Sequence, residues 1–253
     1  MLGAMAEFRH QDLSGSTFED VDLSRARFKN VLVRDVVLRG AWGETVELDG
    51  DFDRLVVNGI DVMPLWHAEQ RRLHPEYALL SPSDAEGYRT AWPILERQWQ
   101  ETVARARALP EELLHERVEG EWSFIETQRH LVMATDAWIR RALLGDPRPF
   151  HPLGLPHEEM GEIEGVPNDP GARPSMDEVL AVRAERMGTY RQVVAELTDK
   201  RLAGTTTPVL EPGYPESVAF PVARCLTCIL HEEWWHRRFA ERDLAVLEVR
   251  HEA

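Results

Sequence analysis

The run His231-Glu232-Glu233-Trp234-Trp235-His236 places several potential metal ligands inside an otherwise apolar helical pattern near the C-terminus. A carboxylate or imidazole buried without a partner is costly, so such residues on a core stripe imply a bound cation or a pairing network. Helical geometry sorts them: residues four apart are separated by about 40° around the axis, and residues five apart by about 140°. Glu232 and His236 therefore share the face that runs Cys225, Ile229, Glu232, His236, Phe239 or Ala240, and Asp243, while His231 faces elsewhere. The protease pattern His-Glu-x-x-His fails, because Trp235 stands where the second histidine belongs. Glu233-Trp234-Trp235-His236 has the Glu-x-x-His spacing of di-iron bundles, but the other match, Glu112-Leu113-Leu114-His115, follows Pro110 in a connector. Glu233 and the two tryptophans read as packing or rim residues.

Two ligands rarely hold a metal; three protein ligands with an open fourth position is the usual catalytic zinc arrangement. The third must come from another helix, and His130, one turn from Thr127 and Ala134, is the candidate. Its alternative is a core histidine bonded to a neighbour. Asp243 is expected to cap its helix, with orientation of a ligand as the alternative. Cys225 and Cys228 form a single Cys-x-x-Cys without a second pair or a βαβ setting, so they read as two small buried side chains on one helix.

These residues need a helical frame, and the sequence supplies one from Ser83 onward. Ser83-Asp84-Ala85-Glu86 reads as a capping box opening a helix over 84–108, with a kink at Pro93 and a stop at Pro110. Ser123-Phe124-Ile125-Glu126 opens a second helix that carries His130 and ends near Gly145. Ser175-Met176-Asp177-Glu178 opens a third to about Leu197, and a fourth runs from Pro221 to about Arg242. Four such helices read as a bundle. The Pro- and Gly-rich segment 146–174 is a long loop, functional or disordered, whose His151 and His157 are expected to be solvated.

The first forty residues follow another rule. Phe8, Leu13, Phe18, Leu23, Phe28, Val33 and Leu38 are apolar at every fifth position, a period that fits neither a helix nor a strand, and Asp12-Leu13-Ser14 recurs as Asp22-Leu23-Ser24. This stretch resembles pentapeptide repeats, which implies a short β-solenoid with the central Phe or Leu inside. An array this short needs a partner to stack on, and residues 46–62 read as an irregular β continuation that docks it. The expected division is residues 1–65 for the repeat module and 66–253 for the bundle, and the fold class is mainly α.

Trp122-Ser123-Phe124-Ile125-Glu126-Thr127-Gln128-Arg129-His130-Leu131 and Leu230-His231-Glu232-Glu233-Trp234-Trp235-His236-Arg237-Arg238-Phe239-Ala240 resemble the second- and fourth-helix motifs of the DinB-like superfamily, over about residues 84–244. The branch similar to mycothiol-dependent maleylpyruvate isomerase carries Glu-x-x-x-His on the fourth helix, which Glu232 and His236 match. The resemblance implies that His130, Glu232 and His236 hold a divalent metal, Zn²⁺ or Ni²⁺. It also implies transfer of a low-molecular-weight thiol, such as mycothiol or bacillithiol, to a small electrophile. The substrate is not carried over, because the pentads are added and a second domain like that of the isomerase is not expected. The same ligands suit a metal-dependent hydrolase, and Arg129, Arg237 and Arg238 are cations near the site, with Arg129 and Arg237 as candidate cofactor contacts.

Two other readings stand beside these: a non-catalytic binding protein that uses the repeat module for docking, and a metal-free bundle. Mimicry of nucleic acid by the repeats is disfavoured, since residues 1–50 hold nine acidic and six basic residues, a net of only -3. The 253-residue chain carries a net charge of -15 with lysine only at Lys29 and Lys200, which argues against a nucleic-acid partner. No apolar run approaches the roughly 20 residues of a membrane span, and the N-terminus does not read as a secretory signal, so the cytoplasm is expected. The expected partners are a small-molecule substrate and a second copy of the chain.

Overall fold

The computed structural model describes residues 7–29, 31–48, 50 and 52–252, and the chain divides into two compact units, Met1–Leu48 and Asp49–Ala253. In the first unit the five-residue period is written into the backbone. His10, Gly15, Asp20, Arg25, Asp35 and Gly40 all have φ between 52° and 74°, the left-handed region. Leu13 O accepts from Ser16 N and Leu23 O from Ala26 N, closing turns. Within them Asp12 Oδ1 and Asp22 Oδ1 each accept a backbone N–H, from Ser14 and Ser24, at 2.8 Å. The repeated Asp-Leu-Ser triplet thus makes a repeated turn.

No solenoid is evident, however, among the described residues. The apolar row expected inside it is exposed along its whole length, from 42% at Leu13 to 75% at Leu38. The physical reason is length: each coil of a repeat array buries its centre against the next, and seven pentads leave most centres without a neighbour.

The second unit opens with a hairpin of β1 (Val56–Val57) and β2 (Ile60–Asp61), the only sheet among the described residues. Among the described residues of the β continuation expected over 46–62, this pair is the part that forms strand. It leads into α1 (Met63–Leu73), an element the sequence pattern did not announce, which begins with Pro64 in its first turn, where a missing N–H costs nothing. Trp66 of α1 stacks on Trp235 with ring centroids 5.7 Å apart, and the 3₁₀ turn Pro75–Leu79 adds Tyr77 against Trp234 at 5.1 Å.

Then comes the bundle. Helix α2 (Ala85–Ala106) is capped by Asp84, whose side chain accepts from Gly87 N, one residue later than the expected Ser83 box. Pro93 lies inside it. Helix α3 (Phe124–Thr135) has a complete Ser123/Glu126 capping box and widens into a π-helix over Asp136–Leu143. Helix α4 (Met176–Ala195) carries the Ser175/Glu178 box, and a single turn, α5 (Asp199–Leu202), follows.

The last helix, α6, runs Val222–Glu252, well past the expected end near Arg242. Asp243 is therefore no cap. It sits within the helix and pairs with Arg242 at 2.7 Å. The extension is held by buried Leu244 and Leu247 and by Arg105 of α2, which bridges Glu241 and Glu248. No helix among the described residues is long and apolar enough to cross a membrane.

Two buried ion pairs clip α4 to its neighbours. Arg183 donates to both carboxylate oxygens of Glu233 on α6 at 2.9 and 2.7 Å, and Arg186 donates to Asp136 at 2.9 and 3.3 Å. A salt bridge this deep is weak evidence for stability, but breaking one partner leaves a bare charge and is costly.

Candidate metal centre

Helices α3 and α6 bring His130, Glu232 and His236 together although about a hundred residues separate the first from the others. One ligand atom from each lies within 4.8 Å of the other two. His130 Nε2 is 3.3 Å from Glu232 Oε2, and His236 Nδ1 is 3.3 Å from the same oxygen. The i,i+4 relation on α6 does what the sequence arithmetic required, and His231, on another side, is 3.4 Å from Ser81 Oγ instead.

The imidazoles are oriented from behind. His130 Nδ1 lies 3.0 Å from the carbonyl oxygen of Leu155, so a proton on Nδ1 leaves the Nε2 lone pair aimed at the site. His236 Nδ1 lies 3.0 Å from the carbonyl oxygen of Glu232, which holds the ring against its own helix. Metal-bound histidines characteristically use the second ring nitrogen this way.

The electrostatics agree. Burial pushes the Glu232 carboxyl up, but the His130 hydrogen bond and the charges of His130, His236 and His157 outweigh it and bring it to about 2. Burial, reinforced by His130, brings the His236 imidazole down to about 4. An ionised carboxylate beside a neutral imidazole is the protonation state a divalent cation requires. The donor set, two imidazole nitrogens and one carboxylate with no thiolate, is one that can hold a divalent cation.

Other residues of the opening run have different work. Glu233, expected as a packing or rim residue, is fully buried and spent on Arg183, whose Nε also donates to Gln128. Trp234 is fully buried against Tyr77 of the 3₁₀ turn, and Trp235 is half-buried against Trp66 of α1. Cys225 and Cys228 are free thiols, the first buried and the second half-buried; burial pushes the Cys225 thiol up to about 11 and raises Cys228 as well, so neither is a ready nucleophile. His115 and Glu112 lie in a 3₁₀ turn, Glu111–His115, outside the bundle helices.

Arg129 and Arg237, expected to meet a cofactor, are both held by protein partners. Arg129 is fully buried and donates to the carbonyl oxygens of Leu153, Ala172 and Asp169, so it clamps the long loop and presents nothing to a ligand. Arg237 donates to Thr102 Oγ1 and Glu241 Oε1, and Arg238 lies over the Trp234 ring.

Two residues beside the triad had no assigned role in the sequence. Trp122 packs against His130 at 4.6 Å and stacks near His157 and His236 at 5.3 and 6.0 Å between ring centroids. His157, expected to be merely solvated, is exposed but has its ring 4.3 Å from that of His130. Trp122 was legible as the residue before a helix cap. His157 was not, because nothing in loop spacing says which way a loop folds back. His151 is elsewhere, its backbone N–H donating to Asp136.

Comparison with known proteins agrees with this geometry. No curated protein and no solved structure matches the chain. The family model of the DinB superfamily matches residues 94–240, more than half of the chain and a span that contains all three members of the triad. This chain belongs to the DinB superfamily.

Proposed function

We propose that the chain is a metal-dependent transferase of a low-molecular-weight thiol, of the mycothiol or bacillithiol type, acting on a small electrophile. The observation that carries the reading is the trio His130, Glu232 and His236, two imidazoles and one carboxylate gathered within 4.8 Å across two helices. A divalent cation held there, Zn²⁺ or Ni²⁺, favours the thiolate form of a thiol, which is the nucleophilic form. The protein's own part is preparation. Leu155 sets the His130 tautomer, the Glu232 backbone holds the His236 ring, Glu232 supplies the negative charge, and Trp122 walls one side with an apolar ring that limits water. The same donor set serves a hydrolase acting through water, which makes hydrolysis the competing chemistry.

For the N-terminal unit we propose a pentapeptide-repeat module used for docking, by self-association into a homodimer. What supports this is the left-handed backbone at residues 10, 15, 20, 25, 35 and 40 together with the exposed apolar row from Phe8 to Leu38. Contiguous exposed apolar surface of this kind marks interaction sites. We place the protein in the cytoplasm, with a small molecule as its substrate and neither nucleic acid nor membrane as a partner.

Metal analysis tests the central reading. Protein purified without chelator is expected to hold about one divalent ion per chain, and His236→Ala is expected to hold none. With metal present, thiols are screened against electrophiles, and Glu232→Gln is expected to abolish turnover. A wild-type protein free of stoichiometric metal removes the basis for any metal-dependent activity.

A further inference from the structure

His157 sits on the segment between the π-helix and α4, and that segment is bolted to α3 at the metal ligand itself. Leu155, two residues before His157, gives its carbonyl oxygen to His130 Nδ1 and its N–H to the carbonyl of Arg129. Gly154 packs against α3, where an added Cβ would stand at an ordinary 3.4 Å from the Met133 Cβ, and the His151 carbonyl of the same loop lies 3.1 Å from that position. Leu155 and Pro156 are buried, and the chain emerges into solvent at His157.

The far end returns to the same anchor. The Arg129 guanidinium that holds Leu153 also holds Asp169 and Ala172, so one buried side chain pins both ends of the strap formed by residues 154–168. Next to His157, Glu158 accepts from Arg117 Nη1 at 2.8 Å, and the same guanidinium grips Glu126 of α3. The Arg117–Glu158 pair is partly exposed, so it is a latch of modest strength that opening can break.

We infer that His157 is a fourth, exchangeable protein ligand of the metal centre, carried on this strap and displaced when substrate takes the open position. The inference rests on the metal reading given above. His157 stands outside the 4.8 Å trio, but its ring lies 4.3 Å from that of His130 and is backed by Trp122 at 5.3 Å, so a short turn of an exposed side chain brings a ring nitrogen in. The chemistry also fits: three protein donors leave a fourth position that a neutral imidazole fills well and a thiol sulfur replaces.

The test loads wild type, His157→Ala and His236→Ala with Co²⁺ and Cu²⁺. Visible absorption and competition titration read the cobalt site, and pulsed electron paramagnetic resonance counts the imidazoles on copper. Wild type is expected to show three imidazoles and His157→Ala two, with a changed cobalt spectrum and at least about tenfold weaker binding. If His236→Ala abolishes binding while His157→Ala leaves spectrum, affinity and imidazole count unchanged, the fourth-ligand role is overturned and the metal site stands. If wild type binds neither ion, both fall.

Discussion

Glu232 and Glu233 are neighbours on one helix, yet they serve opposite ends. Glu232 turns to His130 and His236, where its charge is shared among imidazoles and remains partly open to solvent. Glu233 turns into the core, where Arg183 takes both of its oxygens and neither partner meets water. One residue of sequence is about 100° of helix, enough to separate a binding face from a structural one. The lesson is that a cluster of ligand-type residues contains its own division of labour: a carboxylate with a dedicated guanidinium is spent, and one facing only imidazoles is available.

That contrast can be broken from either side. Glu233→Gln leaves Arg183 charged and unpaired, and is expected to cost about 3–5 kcal/mol of stability in chemical denaturation, with metal affinity nearly unchanged in whatever fraction folds. Glu232→Gln is expected to shift the balance the other way: metal affinity lower by at least about a hundredfold, roughly 3 kcal/mol, with a smaller loss of metal-free stability than Glu233→Gln. If both variants lose metal to the same degree, the two carboxylates are not separate in role.

Arg129→Met probes the link between the site and its strap. It removes three donations to loop carbonyls and is expected to cost roughly 2–3 kcal/mol, seen as faster proteolysis of residues 154–168 and a loosened His130.

The pH dependence of the metal-free protein sharpens the comparison on the site side. The His236 imidazole is held at about 4 in the folded protein against about 6.5 unfolded, so the unfolded chain binds more protons in that window and stability falls as pH drops through it. The loss is roughly 3 kcal/mol, and His236→Gln is expected to flatten it. Glu232 acts in the same direction lower down, its contribution fading as pH falls from about 4.5 towards 2. The smallest effect is expected from Phe18→Ser in the exposed apolar row, within about 0.5 kcal/mol of wild type for thermal unfolding, although it should weaken self-association in analytical ultracentrifugation.

Much of the bundle was legible because its signals are local. Ser123 with Glu126 and Ser175 with Glu178 announce helix starts through bonds three residues long, and both boxes form as written. The α6 end was misplaced because a charged residue after an apolar stripe looks like a stop, while Leu244 and Leu247 continue the buried face through it. α1 escaped notice because its packing partner, Trp235, lies far along the chain, and none of its own residues is fully buried.

The sequence by itself determined the facing of Glu232 and His236, since an unbroken helix allows no other arrangement for positions four apart, and it determined the five-residue turns, since Asp-Leu-Ser bonds within itself. Only the tertiary structure decided that Glu233 belongs to Arg183, that Arg129 is a clamp, and that His157 comes to rest beside His130. Each of these is a contact across tens of residues, where the direction a side chain takes is set by which helix or loop happens to lie opposite. Pattern along the chain carries no record of that.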